Sequence, residues 1–272
     1  MEEHVLWLTR GVNHVLGPLA LSLLHALHIT PENPELPIPQ RDVMALLVVI
    51  VGTILALIVR ARLSVEKPGP TQQVAELLFT NSLGFGINDI LSENAGHEWK
   101  RHVPLVGSVG IFILLANLFG SFPFLAAPTA VYNVPLGAAA VIFVYFNWQG
   151  IRHHGTVGYL KNFTGGVDWW LTPLIFPVEI FSTCARLLSL SVRLWANIFA
   201  SDLIYGVFLG LFAQAFGSAW GWSRPAGLVV GIFPALIPLA FIGLHIFVSI
   251  IQAYVFTILP SVYIGLATAD EH

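Results

Sequence analysis

The sequence predicts an all-α integral membrane protein, and three observations carry that prediction. Of 272 residues, 56% are hydrophobic and only 10% are charged, against about 25% charged in a soluble domain. Mean hydropathy is strongly positive. The apolar residues form continuous runs, not the alternating segments of about ten residues that build outer-membrane barrels. A formal net charge of −3 is small and points to no nucleic-acid partner. The single cysteine, Cys184, excludes an intramolecular disulfide framework and a Cys-rich metal site. It reads as a packing residue.

The chain starts MEEHVLWLTRG, acidic and without a basic n-region, so no removable signal peptide is expected. Residues 11–29 are Leu-rich but contain His14, Pro18, His25 and His28, which suits an interfacial amphipathic helix better than a span. The first clear span is Val43–Val59, followed at once by Arg60, Arg62 and Lys67. Pro68–Leu91 mixes polar and apolar residues and suits a helix on the membrane surface or packed on the bundle. His97–His102 is basic and polar and precedes a second span, Val103–Phe122. Pro123, Pro128 and Pro135 mark a loop. A shorter third span is expected at Gly137–Phe146, with Trp148 at its interface and a polar loop at Arg152, His153, His154 and Lys161.

Two longer apolar regions follow. Trp169–Phe216 as one helix would be roughly 70 Å long, and Leu228–Ile264 roughly 55 Å, with kinks at Pro234, Pro238 and Pro260. Hydrocarbon is only about 30 Å thick. Each region is therefore two spans, or one long and strongly tilted helix. The positive-inside rule puts Arg60, Arg62, Lys67, Lys100, Arg101, Arg152 and Lys161 on one side, which should be cytoplasmic. Only Arg10, Arg41 and Arg224 fall on the other. The N-terminus is then outside, and the C-terminus, ending Asp270, Glu271, His272, is inside.

The polar residues within the late regions carry the chemistry. Arg193 lies in an otherwise apolar stretch, Leu187–Tyr205. A charge at the centre of a helix in lipid costs roughly 2.5 to 3.5 kcal/mol on insertion scales. Glu179, Arg186 and Arg193 are spaced by seven residues and share one helical face, since seven residues fall about 20° short of two turns. Ser182, Ser189 and Asn197 join that face. Asp202 is nine residues past Arg193, about 180° around, so the two do not face each other as a simple ion pair. Polar residues of this kind can merely join helices by hydrogen bonds, which is the plainer account of Ser182 and Ser189. Arginine keeps its charge. It can hold a positive field, favour an ionised carboxyl nearby and repel cations, as an electrostatic gate does. His245 and Gln252, also seven apart, share a face of the second region, and histidine can exchange protons near neutral pH.

At these residues the sequence resembles subunit a of F-type ATP synthases. Ser189-Leu190-Ser191-Val192-Arg193-Leu194-Trp195-Ala196-Asn197 resembles the family's S-L-x-x-R-L-x-x-N signature. Asn117-Leu118-Phe119-Gly120-Ser121-Phe122-Pro123 resembles its N-L-x-G-x-x-P, Pro68–Glu76 its cytoplasmic segment, and His245 with Gln252 its final helix. The resemblance implies about five membrane-crossing helices, one surface helix and a last pair forming a long tilted hairpin against a c-subunit ring. It divides the chain into an N-terminal extracytoplasmic or interfacial segment, 1–40, and a membrane-embedded domain, 41–272.

It also implies a role for each residue. Two offset half-channels meet the ring. Asn197, Asp202 and His245 belong to the outer one, with Gln252 close to the arginine. Glu179, Arg186 and Ser189 lie toward the inner exit, and Arg193 separates the two. The implied ion is a proton, sodium being the less expected alternative. Implied partners are the c ring, b-type peripheral stalk subunits, the rest of the synthase and membrane lipid, in the inner (plasma) membrane of a bacterium. No cofactor, metal or nucleotide site is implied. The chain departs from the family in having Ala196 and Ser201 where glycine is frequent, and Asp202 where a glutamate is frequent. Two other classes fit less well. A secondary transporter calls for repeated halves around one midplane site, and no repeat is present. An intramembrane metalloenzyme calls for a motif such as His-Glu-x-x-His, which does not occur.

Overall fold

The computed structural model describes residues 7–26, 28, 30, 33, 35–64, 67–81, 84–122, 125–162, 171–222 and 224–269, with the side chains of 161, 162, 219, 222 and 224–238 outside that description. The described elements are helical. They are α1 (Trp7–Ala26), α2 (Gln40–Ala61), α3 (Pro70–Phe79), α4 (Ile87–Asn94), α5 (Trp99–Phe119), a 3-10 turn at Pro128–Ala130, α6 (Asn133–Asn162), α7 (Thr172–Trp222) and α8 (Arg224–Thr268). Five of them, α2, α5, α6, α7 and α8, are long and apolar enough to cross a membrane. The chain is an all-α multi-pass membrane protein. The acidic start at residues 1–6, Pro123, and the terminal Asp270, Glu271 and His272 lie outside the described residues, as do the side chains of Lys161, Arg224, Pro234 and Pro238.

Both late regions are single continuous helices, 51 and 45 residues long. At 1.5 Å per residue they measure about 75 Å and 65 Å, so each must tilt or project beyond the hydrocarbon. α8 packs most extensively on α7, then on α5. Close approach needs glycine at two places. A Cβ on Gly265 would run into the carbonyl of Asn94 at the end of α4, and one on Gly110 would come within 2.5 Å of Thr257 Oγ1 on α8. A buried seam of Ile113, Leu190, Leu194, Ile198 and Phe256 joins α5, α7 and α8.

Three expectations are corrected. Arg152, His153 and His154 are not a loop but belong to the first part of α6, which runs from Asn133 to a kink at Gly155. The chain turns later, at Gly155, whose φ of 71° suits a residue without a side chain. Beyond it Tyr159 folds back and donates a hydrogen bond to Asn147 Oδ1 at 3.0 Å. Second, Pro68–Leu91 holds two short helices. Between them Asp89 Oδ2 accepts from the N–H groups of Asn81 (3.0 Å) and Gly86 (3.2 Å), which fixes the break. α3 exposes Val74 and Leu77, whereas α4 packs against α5 and α8. Third, Cys184 is exposed on α7 rather than packed, because none of the described residues covers its side of the helix.

Candidate functional site along α7 and α8

The polar residues of α7 and α8 gather into two clusters. The first is built where α5 ends. The last carbonyls of a helix lack intrahelical partners, and that of Asn117 accepts from the Gly120 N–H at 3.0 Å. The same oxygen lies 3.0 Å from His245 Nε2 on α8. On its other edge the imidazole places Nδ1 3.1 Å from Ser201 Oγ and 4.0 Å from Asp202 Oδ1, both on α7. His245 is buried, while the Asp202 side chain is 43% exposed. Asn117 is itself pinned, its Oδ1 accepting from Thr129 Oγ1 at 2.7 Å. Gly120 lies close against the ring, and a Cβ there would sit 3.0 Å from Nε2.

The second cluster lies toward the start of α7. Arg186 Nη2 is 3.8 Å from Glu179 Oε1. Its guanidinium carbon stands 5.4 Å from the centroid of the Tyr263 ring of α8, within the reach of a cation–π attraction. These groups line a cavity of about 220 Å³ with Phe146, Tyr159 and Thr183. Asp202 is 23 residues beyond Glu179, so the clusters are about 35 Å apart along the helix axis.

Between the clusters stand Ser189, Arg193 and Asn197, all exposed. No hydrogen bond or ion pair joins them to another side chain among the described residues. They border the seam of Leu190, Leu194 and Ile198, with the small Ala196 and Ala200 on the same open side. Gln252 is buried on α8 between His245 and Tyr263, and its Oε1 has no hydrogen-bond partner among the described residues.

The seven-residue spacing thus brings Glu179 and Arg186 together. Arg193 and Asp202 stay apart, as the helical geometry required. No hydrogen bond links Gln252 to Arg193 among the described residues. Three participants were not singled out from the sequence. Tyr263 had a signal, since it follows Gln252 by eleven residues and so shares its face. Ser201 had been noticed only as a departure from glycine. The Asn117 carbonyl had no signal, because any residue carries one.

A five-span helical bundle whose two longest helices carry separate polar clusters, with an uncovered arginine between them, defines a class of ion-handling membrane protein. The comparisons with known proteins narrow the class. A family model described as the ATP synthase A chain matches residues 43–265. The protein named ATP synthase subunit a of Koribacter versatilis (strain Ellin345) is 36% identical over 273 aligned residues, 99% of either chain. That of Solibacter usitatus (strain Ellin6076) is 38% identical over 84% of this chain and 87% of its own. That of Sulfurimonas denitrificans is 36% identical over 75% and 80%. The chain belongs to the ATP synthase A chain family.

Proposed function

We propose that this chain is the proton-translocating stator subunit of a bacterial F-type ATP synthase, forming two offset half-channels against a ring of c subunits. The observation that carries this reading is the separation of the two polar clusters by about 35 Å of α7, with Arg193 exposed between them. Neither cluster reaches the other. The seam of Leu190, Leu194, Ile198 and Phe256 is buried and apolar, and no hydrogen bond among the described residues joins the buried Ser191, Ser249 and Gln252 beside it into a chain from one cluster to the other. An ion entering at one cluster must therefore leave the chain to reach the other, carried by a partner.

The exposed face of α7 says what that partner presents. A guanidinium facing lipid is costly, so this surface meets protein or water. Ser189, Ala196 and Ala200 are small and let a partner helix come close. An ionised carboxylate on that helix would pair with Arg193. A proton entering by Asn197, Asp202 and His245, with Gln252 next to the arginine, neutralises the carboxylate so that it can enter lipid. After the ring has turned, the carboxylate releases its proton toward Ser189, Arg186 and Glu179. A charge crossing the full potential gains about 2.3 kcal/mol per 100 mV, and that is the driving force. The attraction to Arg193 must hold the ionised site yet release it, which fits an accessible arginine better than one locked in a dry bidentate pair.

On this reading the N-terminus and the cluster at His245 face outward, and the C-terminus and the cluster at Glu179 face the cytoplasm. Residues 1–40 form an extracytoplasmic or interfacial segment and 41–272 the working domain. The stalk's b-type subunits are further partners, and the chain itself binds no nucleotide. The test is Arg193→Ala in membranes carrying the assembled synthase. Loss of coupled proton transport with the complex intact is the expected result, and full ATP synthesis would sink the gating role.

A further inference from the structure

We infer that His245 exchanges its proton through Nδ1 alone, with Ser201 as the hydroxyl that serves it and the Asn117 carbonyl as the group that closes the other edge of the ring. This rests on the reading that His245 lies on the proton path.

The geometry assigns the tautomer. A carbonyl oxygen can only accept a hydrogen bond. Nε2, 3.0 Å from the Asn117 oxygen, must therefore carry a hydrogen in the neutral ring, and Nδ1 holds the lone pair. Ser201 Oγ, 3.1 Å from Nδ1, then donates to it. The carbonyl belongs to the last turn of α5, where the helix dipole is negative and favours an N–H or a cation. It cannot swing away, because Asn117 is buried and held by Thr129 on one side and by its own helix on the other.

A direction for the proton follows. When Ser201 passes its hydrogen to Nδ1, the hydroxyl oxygen takes a replacement from an incoming hydronium ion, which is left as water, or from the protonated Asp202 carboxyl, which is left as carboxylate, and the ring becomes an imidazolium. The added proton cannot continue through the ring, since loss of the Nε2 hydrogen would require an amide oxygen as its acceptor. It must leave by Nδ1, the nitrogen through which it came. His245 thus holds a proton at the end of a branch, and onward transfer runs along the α7 side, where Ser201 and Asp202 sit, rather than across α8. Ser201 is a positioning and relay residue in this chain, supplying a hydroxyl that the glycine frequent at this place lacks.

Two measurements on the intact synthase in lipid vesicles test this. The first is nitrogen-15 NMR of complex labelled at histidine, with the His245 signals identified by their loss in His245→Gln. A neutral ring protonated at Nε2 and bare at Nδ1 is expected. A neutral ring protonated at Nδ1, or a ring protonated at both nitrogens at every pH at which the complex stays assembled, overturns the inference. The second is the rate of proton uptake in Ser201→Ala and Ser201→Thr. A several-fold loss in the alanine variant, restored by the threonine hydroxyl, is expected, and a wild-type rate in Ser201→Ala overturns it. Wild-type transport in His245→Gln would instead remove His245 from the path, a failure of the underlying reading. Impaired transport in His245→Gln together with the opposite tautomer would overturn only the present inference.

Discussion

In the most apolar stretch of α5, 44% of the residues are buried within the chain, and in that of α7 only 6%. Both helices carry polar groups, and they treat them differently. His102 of α5 is buried and meets the Tyr145 hydroxyl at 2.9 Å, and Asn117 meets Thr129. A polar group shut inside a bundle must be paired there or lose its hydration without return. In α7, Ser189, Arg193 and Asn197 are left facing outward. α5 is thus a scaffold that completes itself, while α7 presents an unfinished surface. The face proposed above to do the work thus begins where the packing of the described residues stops.

The sharpest way to break the comparison is Arg193→Ala. It should abolish coupled proton transport and leave the fold intact, because no hydrogen bond or ion pair among the described residues uses that side chain. An unfolded or unassembled variant would make Arg193 part of the scaffold after all. Phe256→Ala should act oppositely. It empties a fully buried position in the seam, and such truncations cost about 3–5 kcal/mol, so thermal unfolding of the purified protein should occur at markedly lower temperature. An unchanged melting profile would mean that the seam is not the core. Thr129→Val leaves Asn117 Oδ1 buried without its donor, at a cost of about 1–3 kcal/mol. Denaturant titration should detect it, and no loss would show that water can replace the hydroxyl. Asp202→Ala, on the open side, should slow proton entry only a few-fold without altering stability, as measured by uptake into vesicles.

Much of the scaffold was legible in the sequence, because hydropathy reports directly on burial in lipid. Val43–Val59 falls within α2, and Val103–Phe122 overlaps α5 but runs three residues past its end at Phe119. The face shared by Glu179 and Arg186 was legible too, since helical periodicity is a property of spacing alone. The turn after the third span was not. Arg152, His153 and His154 look like a loop, yet a helix tolerates polar residues at its end, and the reversal needed only one glycine with positive φ. The exposure of Cys184 was equally hidden. Composition says that a residue is apolar, but not whether its neighbours come from the same chain or another. The pairing of His245 with a backbone oxygen depends on where α5 ends in space, which no residue identity encodes.

The distance between the two clusters has an electrical consequence. Where water reaches a polar group, the local dielectric is high and little voltage is lost. On the proposed function both clusters are wet, and the membrane voltage falls mainly across the stretch between Glu179 and Asp202. Arg193 stands inside that stretch, nine residues or about 14 Å from Asp202. On the proposed function the chain thereby acts as the dielectric of a capacitor whose plates are the two proposed inlets, and it concentrates the field where the partner carboxylate would gain or lose its charge.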